Sequence, residues 1–120
     1  MSIDYKGGKV EWDLFKNIDL SKPVSWKTEG YLSQDLLTLS YENCIIDLGW
    51  YGGEEGHFSI FVVVPENNGE YSPESWAYPW ARIPCENQYD MLFELQRAID
   101  IYPAQIKSFG KKLQDDNFHS

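Results

Sequence analysis

Residues 37–51, LTLSYENCIIDLGWY, constrain the fold more than any other part of the chain. Two runs of strand-forming residues flank a two-residue connection, Glu42-Asn43, which is the pattern of a β-hairpin. In that hairpin Leu39 pairs with Ile46, and the side chains of both residues point to the same face of the sheet. Every second cross-strand pair points to that face as well. The apolar face then consists of Leu37, Leu39, Tyr41, Cys44, Ile46, Leu48 and Trp50. A shift by one residue would mix the two faces, so the sequence predicts this register.

The hairpin is followed by the signals of further strands. The glycine-rich residues 52–56 predict a turn, and His57 to Val64 is rich in β-branched and aromatic residues, which favours a strand. Residues 66–75 predict a connecting loop before a fourth strand, Trp76–Ile83. Pro79 lacks an N–H group, so this strand is expected at an edge of the sheet.

The C-terminal part has helical periodicity. Asn87, with Asp90 three positions later, predicts a helix start. An amphipathic stripe follows that suits a helix lying on the sheet. The stripe consists of Met91, Leu92, Leu95, Ala98, Ile99 and Tyr102. Pro103 predicts the end of this helix or the start of a second one that carries Ile106, Phe109 and Leu113, with residues 115–120 as a frayed tail.

The chain of 120 residues is predicted to form one domain, 1–120. Residues 1–34 are expected to be irregular or to hold a short helix at Glu11–Leu20. Residues 35–83 are expected to form the sheet, and 87–114 the helices. The predicted class is α+β, with an antiparallel meander of about four strands packed on one face by C-terminal helices.

The charge is acidic and unevenly distributed. The net charge is −9, and residues 35–106 alone carry twelve acidic residues against Arg82 and Arg97. Such a surface is unsuited to nucleic acid. It is either a solvated face or a docking surface for a cationic partner.

Catalytic chemistry has few candidates. His119 lies in the tail, which leaves His57 as the only credible general base, and a plain strand-edge histidine is the simpler interpretation. Cys44 points into the predicted core, and Cys85 has no basic neighbour in sequence to lower its pKa. Two cysteines 41 positions apart match no metal motif. The glycines at 49–56 precede a strand, which predicts a hairpin turn rather than a phosphate site. We therefore expect no enzyme, no cofactor and no metal.

The clustered acids and the aromatic residues are the candidate sites for a partner. Carboxylate pairs also occur in glycoside hydrolases, but a chain this short rarely builds a sugar cleft as well. Aromatic residues at a spacing of two share one face of a strand, which is either core or, when rimmed by acids, a protein-binding surface. The predicted partner-binding residues are Asp47, Glu54, Glu55, Glu66, Glu70, Glu74, Trp76, Tyr78 and Trp80.

The N-terminal residues lack the apolar stretch of a signal peptide, and no apolar run is long enough to span a membrane. The sequence therefore predicts a cytoplasmic protein that has no membrane partner.

Residues 36–64 resemble the small acidic immunity proteins of bacterial polymorphic toxin systems, including those of contact-dependent growth inhibition. The most specific part is Ile46-Asp47-Leu48-Gly49-Trp50-Tyr51, followed by another strand. The resemblance implies stoichiometric binding that neutralises a cognate toxin domain, with no catalytic residue. Many such toxins are nucleases with basic surfaces, which would agree with the acidic charge. The alternative is an acidic regulatory or adaptor domain that binds another basic protein.

Overall fold

The computed structural model describes residues 2–24, 32 and 34–118 and confirms an α+β fold. One antiparallel sheet has its strands in the order β1-β2-β3-β4-β5, so that each strand lies beside its neighbour in the chain. The strands are β1 (Lys9–Asp13), β2 (Leu37–Ser40), β3 (Ile45–Tyr51), β4 (His57–Val63) and β5 (Ala81–Pro84). The helices are α1 (Pro73–Ala77) and α2 (Gln88–Phe118).

The hairpin of β2 and β3 has the predicted register. Leu39 pairs with Ile46, and the Tyr41 N–H donates to the Cys44 carbonyl at 2.8 Å across the Glu42-Asn43 turn. Of the seven residues predicted for the apolar face, five are buried and two are half-buried. The core face of the hairpin was therefore predicted correctly.

The N-terminal short helix was a wrong prediction, because residues 9–13 form a fifth strand that pairs with β2. The register of β1 shifts between Val10 and Trp12, so a bulge separates these side chains. Beyond β1 the N–H groups of Leu14 and Phe15 donate to the Leu36 carbonyl, at 2.8 and 3.0 Å. The apolar residues Trp12, Phe15 and Ile18, whose three-residue spacing suits a helix, thus lie at this bulge and around one turn of 3₁₀ helix at Phe15–Asn17.

The fourth predicted strand is shorter than expected, since only Ala81–Pro84 pairs with β4. It lies at the edge of the sheet, as predicted, but Pro79 precedes it. Residues Pro73–Ala77 form a helix instead. The reason is local, because Ser72 and Ser75 form a reciprocal capping box and Pro73 occupies the first turn.

The C-terminal residues form one helix rather than two, and Pro103 lies inside it. Asn87 caps its start, where its Oδ1 accepts from the N–H groups of Tyr89 and Asp90 at 3.0 and 2.9 Å. The predicted stripe is buried from Met91 to Ile99, and Tyr102 is half-buried. This stripe packs with the apolar residues of β2, β3 and β4 in one core. Burial on both sides of Pro103 offsets the hydrogen bond that the proline cannot make.

The tail was expected to fray, whereas the helix continues to Phe118. His119 lies outside the described residues. In the described part of the chain, no helix is long and apolar enough to cross a membrane.

Two glutamines of α2 bind the N-terminal segment. The Gln88 amide accepts from the Val24 N–H at 2.6 Å and donates to the Leu20 carbonyl at 2.9 Å. Gln96 accepts from the Asp4 N–H at 2.9 Å and donates to the Asp4 carbonyl at 3.0 Å. The first two dozen residues are thereby held against the helix by hydrogen bonds between their backbone and the two glutamine side chains.

Candidate protein-binding surface

The predicted acidic residues lie at opposite ends of the sheet. Glu54 and Glu55 belong to the turn between β3 and β4, whereas Glu66, Glu70 and Glu74 belong to the connection between β4 and β5. The seven-residue strand β4 separates them, and such a strand is about 20 Å long. The acids therefore form two sites rather than one.

The first site is a rigid turn. Gly52 has φ of 102°, which favours glycine, and the Gly56 N–H donates to the Gly53 carbonyl at 3.1 Å. The Trp50 indole N–H donates to the same carbonyl at 2.7 Å. The predicted role of these glycines as a turn between strands is confirmed, and Glu54 and Glu55 are exposed on that turn.

In the second site, Glu66 has a structural role. Its Oε1 accepts from the Ser72 hydroxyl at 2.6 Å, and the Ser75 hydroxyl lies 3.4 Å away. These are the two serines that cap α1, so the Glu66 carboxylate is engaged within the connection. Glu70 and Glu74 are exposed, and among the described residues neither pairs with a lysine or arginine.

Asp47 does not belong to either acidic site. It lies within β3 and is 5% exposed, and its Oδ1 accepts from the Thr38 hydroxyl at 2.7 Å. Burial raises its pKa to about 6, although the Thr38 hydrogen bond acts in the opposite direction. A partner would reach this carboxylate only after the sheet surface had rearranged.

The three predicted aromatic residues are exposed, but they do not share a strand face. Trp76 lies in α1, Tyr78 follows it, and Trp80 immediately precedes β5. Their exposed fractions are 43%, 80% and 38%. The prediction of a common strand face was wrong, because the capped helix α1 replaces the first half of the expected strand.

Two residues of α2 that the sequence did not indicate complete this aromatic surface. The rings of Trp80 and Phe109 meet edge to face with centroids 5.3 Å apart, and the Trp80 indole N–H donates to Gln105 Oε1 at 3.4 Å. Phe109 is 47% exposed, whereas Ile106 of the same stripe is buried. The apolar stripe of α2 is thus buried at Ile106 and exposed at Phe109.

A groove extends from this aromatic contact along β5 and α2. It has a volume of about 300 Å³, and its lining includes Ile83, Ile101 and Gln105. At its far side Arg97 and Glu94 form an ion pair with the nitrogen and oxygen 3.7 Å apart. Gln105 therefore joins the groove to the Trp80–Phe109 pair.

The sheet face opposite α2 carries a second mixed surface. One row crosses all five strands through the pairs Trp12–Thr38–Asp47–Phe61–Arg82. The guanidinium carbon of Arg82 lies 5.6 Å from the centroid of the Phe61 ring, a cation–π contact. The cation of this row, Arg82, is thereby placed over its cross-strand neighbour Phe61.

The cysteines are packing residues in this fold. Both are buried and free, and burial raises the pKa of Cys44 to about 11 and that of Cys85 to about 12. Both thiols are protonated at neutral pH, and protonated thiols are poor nucleophiles. His57 is half-buried at the start of β4. No group of three or more potential metal-ligating side chains occurs within the described residues.

No family model matches this chain, and neither the curated proteins nor the solved structures contain a similar one.

Proposed function

We propose that this protein is an immunity protein, which binds a cationic toxin domain stoichiometrically in the cytoplasm and neutralises it without catalysis. The observation that carries the proposal is the β4–β5 connection, which combines exposed aromatic side chains with exposed carboxylates and has no basic residue in its sequence. Residues 64–81 contain three acids and no lysine, arginine or histidine. Trp76, Tyr78 and Trp80 are exposed in the same stretch.

This combination supports binding to a protein. Exposed carboxylates accelerate association with a cationic surface, because the long-range attraction acts before contact. Tryptophan and tyrosine supply large rigid contact areas, and they are enriched among the residues that dominate binding energy. Exposed acids and exposed aromatics together supply the fast association and the tight contact that an inhibitor requires.

The alternative, an adaptor that binds another basic protein, would use the same surface. The two functions differ in the partner and in the genes beside this one. An immunity protein is expected next to a large secreted protein that ends in a toxin domain, and it must protect the cell that makes it.

The test is co-expression with the toxin domain encoded immediately upstream. We expect the two chains to co-purify in a 1:1 ratio and the cells to survive induction of the toxin. The double variant Glu70→Lys/Glu74→Lys should slow association and reduce its salt dependence, whereas neutral Thr38→Ala should not. A folded protein that neither co-purifies with the toxin domain nor protects the cells would refute the immunity function and favour the adaptor.

A further inference from the structure

The helix α2 is longer than the part of the molecule on which it packs. Its 31 residues span about 46 Å, whereas the seven residues of β3 or β4 span about 23 Å. Ile106 is the last buried residue of α2 among those whose side chains the structure describes. The helix then continues through residues 107–118, which we call the helical extension. Its length of about 18 Å agrees with the elongated shape of the molecule, 56 × 28 × 23 Å.

A helix that leaves the protein core has little to stabilise it. Helices in proteins gain most of their stability from the packing of an apolar face. The helical extension also contains Gly110, and glycine inside a helix costs about 1 kcal/mol relative to alanine. An extension of about three turns therefore implies a surface on which it packs.

The apolar residues of α2 recur in a heptad pattern, with alternating spacings of three and four residues. They are Leu92, Leu95, Ile99, Tyr102, Ile106, Phe109 and Leu113. This repeat is typical of a helix that packs along another helix. Up to Ile106 its members pack in or against the core, but Phe109 is 47% exposed even though its ring contacts Trp80. The pattern that buries the first part of α2 thus continues in the helical extension, where it favours burial against a second helix.

The exposed aromatic area around Phe109 is large enough to contribute to a dimer. Trp80 contacts Phe109, and Tyr78 and Trp76 lie within about 7 and 14 Å of Trp80 along the chain. At about 200 Å² for each aromatic side chain, the exposed fractions of these four residues amount to roughly 400 Å². A specific interface buries about 800 Å² per partner, so the rings supply about half and the helical extension supplies the rest. An interface of this size predicts a Kd in the micromolar range.

The charge of the helical extension favours a second copy of this chain over a cationic partner. Residues 35–106 carry twelve acids against two arginines, so two copies repel each other over most of their surfaces. In the extension Lys107 pairs with Glu42 at 3.2 Å, and the two lysines and two aspartates of residues 108–120 balance each other. Charges farther apart than the Debye length of about 8 Å are largely screened at physiological salt, so the local balance decides. Two acidic chains can meet at this uncharged end without repulsion, whereas a cationic toxin is not attracted to it.

We propose that the helical extension is a self-association surface, on which two copies of the chain pair about a two-fold axis. The same patch of each copy then faces the other, and Phe109 of each copy packs on the extension of the second copy. The two helices meet along the continuation of the heptad repeat. This proposal goes beyond the proposed function and does not depend on it.

Sedimentation equilibrium of the protein alone tests the proposal. We expect the average mass to rise from that of one chain to that of two as the concentration passes through the micromolar range. Phe109→Glu places a charge in the paired surface and should raise the Kd by about ten-fold or more. Phe93→Glu is the matched control, because it makes the same change in charge on the same helix, at a residue that is 65% exposed and lies outside the heptad repeat. It should leave the Kd unchanged.

A protein that stays monomeric over this range would overturn the proposal, and so would a dimer that Phe109→Glu leaves intact or that both variants weaken equally. Masses that grow beyond two chains would contradict the two-fold pairing. Circular dichroism checks that each variant is folded. Hydrogen exchange of the wild type needs no variant: the amides of residues 107–118 should exchange more slowly as the concentration rises, whereas those of residues 91–99 should not change. Exchange of the extension that is independent of concentration would also refute the dimer.

Failure of this proposal and failure of the proposed function give different results. The dimer is measured without a toxin domain, so its absence leaves the immunity function standing and its presence does not support that function. The dimer surface includes Trp80, which the proposed toxin contact also uses. If both proposals hold, the toxin domain should convert the dimer into a 1:1 complex. A complex that contains two copies of each chain would show that the toxin binds away from Trp80, which refutes that toxin contact and not the dimer.

Discussion

Replacing the buried carboxylate of β3, Asp47→Asn, should stabilise the protein at neutral pH. Asp47 is 5% exposed, and its Oδ1 accepts a hydrogen bond from the Thr38 hydroxyl, which an amide oxygen can accept as well. Burial disfavours the charged form, and the nearby Asp35 adds to the effect, so that the pKa is about 6 instead of 3.8. The substitution keeps the shape and removes the buried charge.

The magnitude follows from the two pKa values. The folded state binds the Asp47 proton more tightly than the unfolded state does, so its favourable contribution is complete below pH 3.8 and is lost as the pH rises through 6. At about 1.4 kcal/mol for each unit of pKa difference, the loss is about 3 kcal/mol at pH 7. It is about 1.5 kcal/mol at pH 5 and about 0.5 kcal/mol at pH 4.

The assay is urea denaturation of both proteins at pH 4, 5 and 7, followed by tryptophan fluorescence. We expect the free energy of unfolding of Asp47→Asn to exceed that of the wild type by an amount that grows with pH. All other carboxylates are common to both proteins, so the change with pH reports Asp47 alone. Thr38→Val removes the hydrogen bond that lowers the Asp47 pKa and should enlarge the gap to Asp47→Asn at pH 7. A gap that is the same at all three pH values would refute the reasoning.

Three further changes test the packing. Leu39→Ala removes a fully buried side chain and should cost about 2–5 kcal/mol in urea denaturation, whereas Ser40→Ala, on the opposite face, should cost much less, and equal costs would contradict the register. The double variant Cys44→Val/Cys85→Ser should change the affinity for the partner by no more than a few-fold in calorimetry, at some loss of stability, because both thiols are buried and protonated; abolished binding by the folded variant would implicate the thiols. Ser72→Ala should cost about 1 kcal/mol in thermal unfolding through loss of the α1 cap, and an unchanged midpoint would argue against the capping box.

The hairpin and α2 could be predicted because their patterns are local and unambiguous. A one-residue slip between Leu39 and Ile46 would move a whole apolar set to the other face, so burial selects a single register. In α2 the stripe repeats over three turns, and tertiary packing reinforces what the periodicity indicates. The break at Pro103 and the frayed tail were predicted incorrectly. At Pro103 the reason is that local propensity was weighed without the core contacts on both sides.

The other elements depend on information that is not local. The strand β1 forms because the open edge of β2 offers hydrogen bonds to it. The bulge between Val10 and Trp12 interrupts the alternation of side chains by which a strand is recognised in a sequence. Ser72-Pro73-Glu74-Ser75 has the pattern of a helix start, but the alternation of aromatics after it favours a strand. The contact between Trp80 and Phe109 depends on where α2 extends past the sheet, which no local pattern indicates.

The hydrogen bonds of Gln88 and Gln96 impose an order on folding. The backbone N–H groups of Asp4 and Val24 donate hydrogen bonds to residues that lie 92 and 64 positions later in the chain. While the ribosome is still translating the sheet, these partners do not exist, so the N-terminal segment cannot form these hydrogen bonds until α2 has been synthesised. Contacts this distant in sequence also slow folding, because the intervening loop must be closed before they form. Completion of the native state is therefore a late event that follows synthesis of α2, and refolding should show strand pairing of β2, β3 and β4 ahead of docking of the N-terminal segment.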